Sequence, residues 1–318
     1  MNKQVDLPKG EKILEERGMP SRNLPVPGSS ARLTREYYDA LLIEMRTIDA
    51  VAASTELTLW GESFSTPVMT AALSGLNKIH PDGLVEVARG AAKAGAVMWC
   101  GIGDEEELAK IIETGAKTIK IIKPYADTDL IFQKIKQAEK CGAFAVGMDI
   151  DFIFGPTRNR GYAMSWPVSP KTQQELKSYI QATKLPFVLK GILSGQDAQK
   201  ALDIGAAGIV VSHHGGAVLD YAAPPPMMLP RIAAVVGQRI PVFADCGIAG
   251  GADAFKALAL GAKAVSVGRA VMAGLAADGA EGVHGVIEKI TQELRMVMEM
   301  TGTAHCGAFD AGVLHKKT

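Results

Sequence analysis

From about residue 67 onward, short runs of apolar and β-branched residues alternate with longer stretches in which apolar positions recur at helical spacing. A short continuous apolar run reads as a strand buried on both faces. Its alternation with amphipathic helices is the pattern that builds parallel strands with crossover helices. The strand runs fall at 67–72, 96–100, 118–122, 145–149, 187–190, 208–212, 241–245 and 264–268. Helices are predicted between them, among others at 105–114, 129–141, 195–204, 251–260 and 269–277. Gly95, Gly205 and Gly261 each stand just before a strand run, where a glycine can close the preceding helix in the left-handed conformation. Eight such units in series predict an α/β fold of the (β/α)8 TIM-barrel type, since doubly wound sheets usually hold fewer strands and reverse their order. A last amphipathic helix at about 282–300 lies outside the eightfold count. Residues 1–30 are polar and proline-bearing and read as one short charged helix and a connector. The expected organisation is therefore an N-terminal helical extension over 1–53 and a barrel domain over 54–318.

Composition narrows the functional classes. The 318 residues carry 34 Lys plus Arg against 34 Asp plus Glu, with no basic run, so there is no concentrated cationic face for a nucleic acid. Cys100, Cys141, Cys246 and Cys306 are scattered without a C-x-x-C spacing, which fits neither a disulfide framework nor a zinc knuckle. A reducing compartment is expected. The first residues are charged and no apolar run approaches ~18 residues, so a soluble, cytoplasmic protein without a membrane span is expected.

In a barrel, polar residues at the C-terminal ends of the strands face one mouth. Thr70, Lys123, Asp149, Asp151, Lys190, Ser212, His214, Asp245 and Arg269 hold such positions. His214 lies in a glycine-rich loop after the sixth strand, and a histidine there can act as a base near neutral pH. Its neighbour His213 raises the alternative of a metal pair. Adjacent residues on an extended loop point apart, however, and no third ligand has matching spacing, so no metal is expected. The glycine-rich loops after the seventh and eighth strands are placed to hold a phosphate with backbone N–H groups, and Arg269 adds a charge-assisted contact.

The segments Val211-Ser-His-His-Gly-Gly with Leu219-Asp220, Leu189-Lys-Gly-Ile192, Phe243 with Asp245 and Gly247, Phe255-Lys-Ala-Leu-Ala-Leu-Gly-Ala262, and Val267-Gly-Arg269 together resemble the FMN-dependent 2-hydroxy-acid oxidase/dehydrogenase family. Asn77–Gly83 also follows that family's segment after the first barrel strand. The family includes glycolate oxidase, lactate oxidase and mandelate dehydrogenase. The resemblance runs from about Ser54 to Cys306 and implies an FMN-bearing barrel that oxidises a small 2-hydroxy acid or related hydroxy compound by hydride transfer to flavin N5. It makes His214 the catalytic base and Asp151 the carboxylate that orients it. Lys190 falls beside flavin N1 and the C2 carbonyl, Thr70, Ala71 and Ala72 along the flavin edge, and Asp149 and Ser212 near the cofactor. Asp245 matches the carboxylate on the ribityl hydroxyls, and Gly247, Gly268 and Arg269 match the phosphate cradle. A homotetramer is implied as well.

Departures from the family pattern bear on the substrate. Its arginine three residues after the histidine is Ala217 here, its third-strand tyrosine is Lys123, and the glutamine two residues earlier is Ile121. A threonine beside the flavin is Asp149, and an arginine of the phosphate loop is Ala249. Lys123 and Arg158 are then the expected substrate-side cations. The family's tyrosine-bearing N-terminal segment has no counterpart read before Ser54. An FMN-dependent reductase or isomerase of the same fold is the alternative that these departures leave open.

Overall fold

The computed structural model describes residues 5–20, 29–153 and 166–317. Its centre is an eight-stranded parallel sheet of β1 (Val68–Thr70), β2 (Met98–Cys100), β3 (Thr118–Ile122), β4 (Ala145–Asp149), β5 (Phe187–Ile192), β6 (Gly208–Val211), β7 (Val242–Ala244) and β8 (Ala264–Val267). From β2 to β8 each strand pairs with the next in sequence, and β8 pairs with β1. The remaining seam, between β1 and β2, is closed by Thr70 N–H on the Val97 carbonyl (3.2 Å), Gly101 N–H on the Leu73 carbonyl (2.8 Å) and a Leu73–Cys100 bridge. All eight predicted strands are present, and the sheet curls into the predicted barrel.

Alternation along the strands sorts the side chains. Met69, Trp99, Ile119, Ile121, Val188, Val210 and Phe243 fill the barrel interior, whereas Met98, Ile122, Val146, Leu189 and Val211 pack against the surrounding helices. The bottom of the barrel is stoppered by a hairpin that the sequence pattern did not suggest, Leu57–Leu59 with Glu62–Phe64. Its turn residues Trp60 and Gly61 both have positive φ, 47° and 86°. That suits a two-residue turn, but Trp-Gly is unlike the Asn-Gly or Asp-Gly cue. Trp60 donates its indole N–H to the Ala207 carbonyl at 3.2 Å and packs edge-on against Phe243.

Around the barrel stand α3 (Gly83–Lys93), α4 (Glu105–Glu113), α5 (Thr128–Cys141), α6 (Gln173–Gln181), α7 (Gly195–Asp203), α8 (Pro225–Val236), α9 (Gly251–Ala259) and α10 (Arg269–Met300). Asp104, Asp127, Thr172 and Ser194 cap their helices with side-chain oxygens, as short polar residues at that position should. Helix α10 breaks at Asp278–Gly279, so its first part serves as the eighth barrel helix and its second as the predicted terminal helix. The N-terminal region is tied to the barrel. Helix α1 (Leu7–Glu16) packs on α10, α2 (Ser29–Asp39) packs on α8, and Leu41–Ile43 pairs antiparallel with Leu314–Lys316. Among the described residues no helix is long and apolar enough to cross a membrane.

Candidate active site

The alternation that fills the barrel also builds its mouth. Lys123 continues the inward series of Ile119 and Ile121, Lys190 that of Val188, Ser212 that of Val210 and Asp245 that of Phe243. Asp149 continues the series through Gly147, where a Cβ would meet Ile121 Cδ1 at 2.9 Å. Lys123, Asp149, Lys190, Ser212 and Asp245 are all buried. Asp149 bridges the two lysines: Lys123 Nζ donates to Oδ2 at 2.6 Å, and Lys190 Nζ lies 3.0 Å from Oδ1. Lys190 is also 3.7 Å from Asp245 Oδ2. Burial alone would favour a protonated Asp149, but the Lys123 and Lys190 ammonium groups outweigh it and hold this carboxyl far below the usual range. Burial likewise works against a charged Lys190, and Asp149, Asp245 and Asp151 reverse it, so this ammonium stays protonated well above the ordinary lysine range.

His214 sits where the chain turns back over this cluster. Its φ is 56°, and Gly215 and Gly216 follow at 65° and 81°, so three successive residues are left-handed. Such a conformation in a non-glycine residue costs on the order of 1–3 kcal/mol and persists only where the surroundings impose it. Here they do. His214 N–H donates to Ser212 Oγ at 3.0 Å and Gly215 N–H to Cys246 Sγ at 3.2 Å. His214 Nδ1 lies 3.1 and 3.3 Å from the two Asp151 oxygens and 3.4 Å from Lys190 Nζ. An ammonium and an Nδ1–H cannot both donate, and the carboxylate can only accept. The tautomer is therefore Nδ1–H toward Asp151, with the lone pair on Nε2.

His213 faces the other way. Gly216 N–H donates to its Nδ1 at 3.1 Å, so its proton is on Nε2, 2.7 Å from Thr34 Oγ1. Thr34 in turn donates to the Ser30 carbonyl at 2.8 Å. Burial pushes this imidazole below its ordinary pKa. Adjacent histidines on one loop thus serve different sides of it, as expected. Asp149, Asp151 and His214 do bring ligand atoms within 4.8 Å of one another. The lysine ammonium groups already lie against Asp149, and the donor set reads as an ion-pair network.

The phosphate-loop candidate after β7 is shaped from behind by α2. Gly247 has φ 85°, and a Cβ there would sit 2.8 Å from Thr34 Cγ2, so both backbone and space demand glycine. Arg35 forks onto Asp253 at 2.7 and 2.9 Å and donates to the Gly247 carbonyl at 3.2 Å, while Asp253 Oδ2 accepts Ala249 N–H at 3.0 Å. Asp253 raises the guanidinium pKa beyond its ordinary value. Burial and Asp245 push the Cys246 thiol up, and it donates to Asp245 Oδ1 at 2.8 Å. Thr70 Oγ1 accepts the Trp99 N–H (3.0 Å), and a Cβ at Gly268 would sit 3.5 Å from Ala71 Cβ, so the 70–72 edge adjoins the loop that opens α10 with Arg269. Sequence reasoning missed Thr34, Arg35 and Asp253. Their partners lie about two hundred residues away in the chain, and a polar helix face carries no local sign of such a contact. Arg158 lies outside the described residues. Lys123 is engaged by Asp149 and also stands 4.2 Å from the centroid of the Phe152 ring.

Donors and loops together fit FMN: a buried ammonium at Lys190, a buried carboxylate at Asp245, and two glycine-bearing loops at the ends of β7 and β8. The model of a family described as FMN-dependent dehydrogenase matches residues 27–178 and 169–316. The chain belongs to the FMN-dependent dehydrogenase family. This FMN-dependent dehydrogenase is 30% identical over 305 residues to glycolate oxidase 1 of Oryza sativa subsp. indica, covering 84% of this chain and 82% of that protein. It is 32% identical over 293 residues to 4-hydroxymandelate oxidase of Amycolatopsis orientalis, covering 82% of each. A solved mandelate oxidase variant carrying a monooxide FMN adduct superposes with a TM-score of 0.84 at 32% identity, covering 98% of this chain and 99% of that one. The family match begins at residue 27, ahead of the resemblance read from about Ser54, so α2, with Thr34 and Arg35, lies inside the matched region. The sequence there is polar and short of motifs, which is why its membership was not legible. The protein is an FMN-dependent oxidoreductase on a TIM barrel.

Proposed function

We propose that this FMN-dependent dehydrogenase oxidises a 2-hydroxy acid or a related hydroxy compound, with His214 as the base. The observation that carries this reading is the Asp151–His214 pair. A carboxylate 3.1 Å from Nδ1 keeps the proton there and leaves Nε2 to take one from a hydroxyl. Once Nε2 is protonated, Asp151 stabilises the imidazolium that forms. FMN, when bound, supplies the hydride acceptor. Thr70, Ala71 and Ala72 are assigned to the flavin edge, with Asp149 and Ser212 beside it. Asp245 is assigned to the ribityl hydroxyls, Gly247, Gly268 and Arg269 to the phosphate, and Lys190 to the developing negative charge on the reduced ring. Lys123 and Arg158 are assigned to the substrate side. The names of the relatives, an oxidase of glycolate and one of 4-hydroxymandelate, support a hydroxy acid as the substrate class.

The test is anaerobic mixing of the FMN-loaded protein with a panel of 2-hydroxy acids and, separately, with reduced nicotinamides. Bleaching of the flavin by a hydroxy acid is expected. Bleaching by reduced nicotinamide alone would replace this reading with a reductase. A homotetramer and a cytoplasmic location complete the proposal. The second is supported by four free cysteines, and a relative named as peroxisomal in Arabidopsis thaliana marks the competing compartment. Light scattering and imaging of the tagged protein in the cell check the two.

A further inference from the structure

The Lys123–Asp149–Lys190 cluster is more than the base mechanism uses. Two ammonium groups share one carboxylate, Lys123 on Oδ2 at 2.6 Å and Lys190 against Oδ1 at 3.0 Å. The side chains are 9%, 3% and 7% exposed, so water and salt screen them little. Lys190 Nζ thus presses on one carboxylate oxygen while Lys123 holds the other. Asp245 is farther from Lys190, at 3.7 Å, and Asp151 also acts on that ammonium.

We infer that Asp149 is a positioning residue that screens Lys190 from the flavin and thereby holds down the flavin's oxidising power, with Lys123 setting how strongly it does so. The inference rests on the reading that Lys190 faces the reduced ring. An isolated ammonium stabilises negative charge as a monopole. The same ammonium pressed against a fixed carboxylate acts as a dipole, whose field is weaker at the same distance. Lys123 competes for the same carboxylate and draws its charge away from Lys190. Screening is therefore set by how Asp149 is divided between the two lysines, and a change at either end shifts the potential in a definite direction.

The experiment measures the two-electron midpoint potential of the FMN-loaded protein, together with its sulfite dissociation constant, since sulfite binding also places negative charge on the flavin. Asp149→Asn should raise the potential by at least about 30 mV, the equivalent of tenfold in equilibrium constant for two electrons, and tighten sulfite binding about tenfold. Lys123→Met should move both quantities the opposite way. The deciding variant is Lys123→Met with Asp149→Asn, which keeps the net charge of the site. It removes the Lys123–Asp149 pair as a unit and leaves Lys190 with Asp245, so it strands one ammonium fewer than Asp149→Asn and stays informative where that variant fails to fold. Local screening predicts a potential above wild type in that double variant, and a value at or below wild type overturns the inference. Lys190→Met separates the two readings. If it lowers the potential while the Asp149 variants leave it unchanged, the screen is wrong and the role of Lys190 stands; if Lys190→Met leaves it unchanged, both fall.

Discussion

At the scale of single residues, His213 and His214 are the sharpest contrast in the molecule. Their backbones are adjacent, yet one is locked to Thr34 and Gly216 N–H and the other to Asp151. His214→Ala should slow flavin reduction by hydroxy acid at least ~10²-fold in anaerobic stopped flow while FMN stays bound, because the hydroxyl proton loses its acceptor. His213→Ala should leave the rate within a few-fold and lower stability by about 1–3 kcal/mol in a urea titration, the usual cost of stranding a buried partner. The pH response differs too. A His213 pKa below its ordinary value means that the unfolded chain binds the proton better than the native one. The stability contributed by His213 is thus full above about pH 6.5 and is lost as pH falls through the lowered native value. The urea midpoint should drop between pH 7.5 and 5.5 by more in the wild type than in His213→Gln, and equal drops would show that this ring does not titrate with unfolding. The sequence identified the histidine pair as the chemical centre and named Asp151 as the partner through family resemblance. The tautomers needed the backbone, since three consecutive left-handed residues aim the two rings.

Among the secondary-structure elements, α2 deserves the closest test. It reaches the loop after β6 through Thr34 and His213, and the loop after β7 through Arg35 and Asp253. Ser30 Oγ adds contacts to the Leu219 carbonyl and to Ala222 N–H. One helix therefore braces both the loop that carries His214, the proposed base, and the loop assigned to phosphate. Arg35→Ala would leave Asp253 holding Ala249 N–H without its guanidinium, and FMN affinity should fall about tenfold in a fluorescence titration, equivalent to ~1.4 kcal/mol. Arg35→Lys should recover part of it, because an ammonium keeps the charge and loses the fork. An unchanged FMN dissociation constant in Arg35→Ala would make the brace irrelevant to cofactor binding. Most of the strands and the interior ends of the helices were legible, because burial repeats with a period that composition records. Helix α2 as a brace was not, because its contacts join residues far apart in the chain.

For the molecule as a whole, barrel closure and the stopper at its base determine how firmly the mouth is held. Phe243 is fully buried beneath Asp245, edge-on to both Trp60 and Trp99. Phe243→Ala should destabilise by about 3–5 kcal/mol in urea unfolding, as a large cavity in a packed core does. FMN in excess should restore part of that loss, because a ligand that binds the native state stabilises it by mass action. The sequence by itself determined the eight strand–helix units, the barrel they make and the set of polar residues at its strand ends. Each of these follows from local periodicity: a two-residue repeat sends every second side chain inward, and the last inward position of a strand must face the mouth. Tertiary structure alone decided which of those polar residues neutralise one another. Lys123, expected on the substrate side, also closes on Asp149, and Asp149 closes on Lys190 as well. Pairing of charges depends on distances across neighbouring strands, and strand curvature and register set those distances only once the barrel has closed.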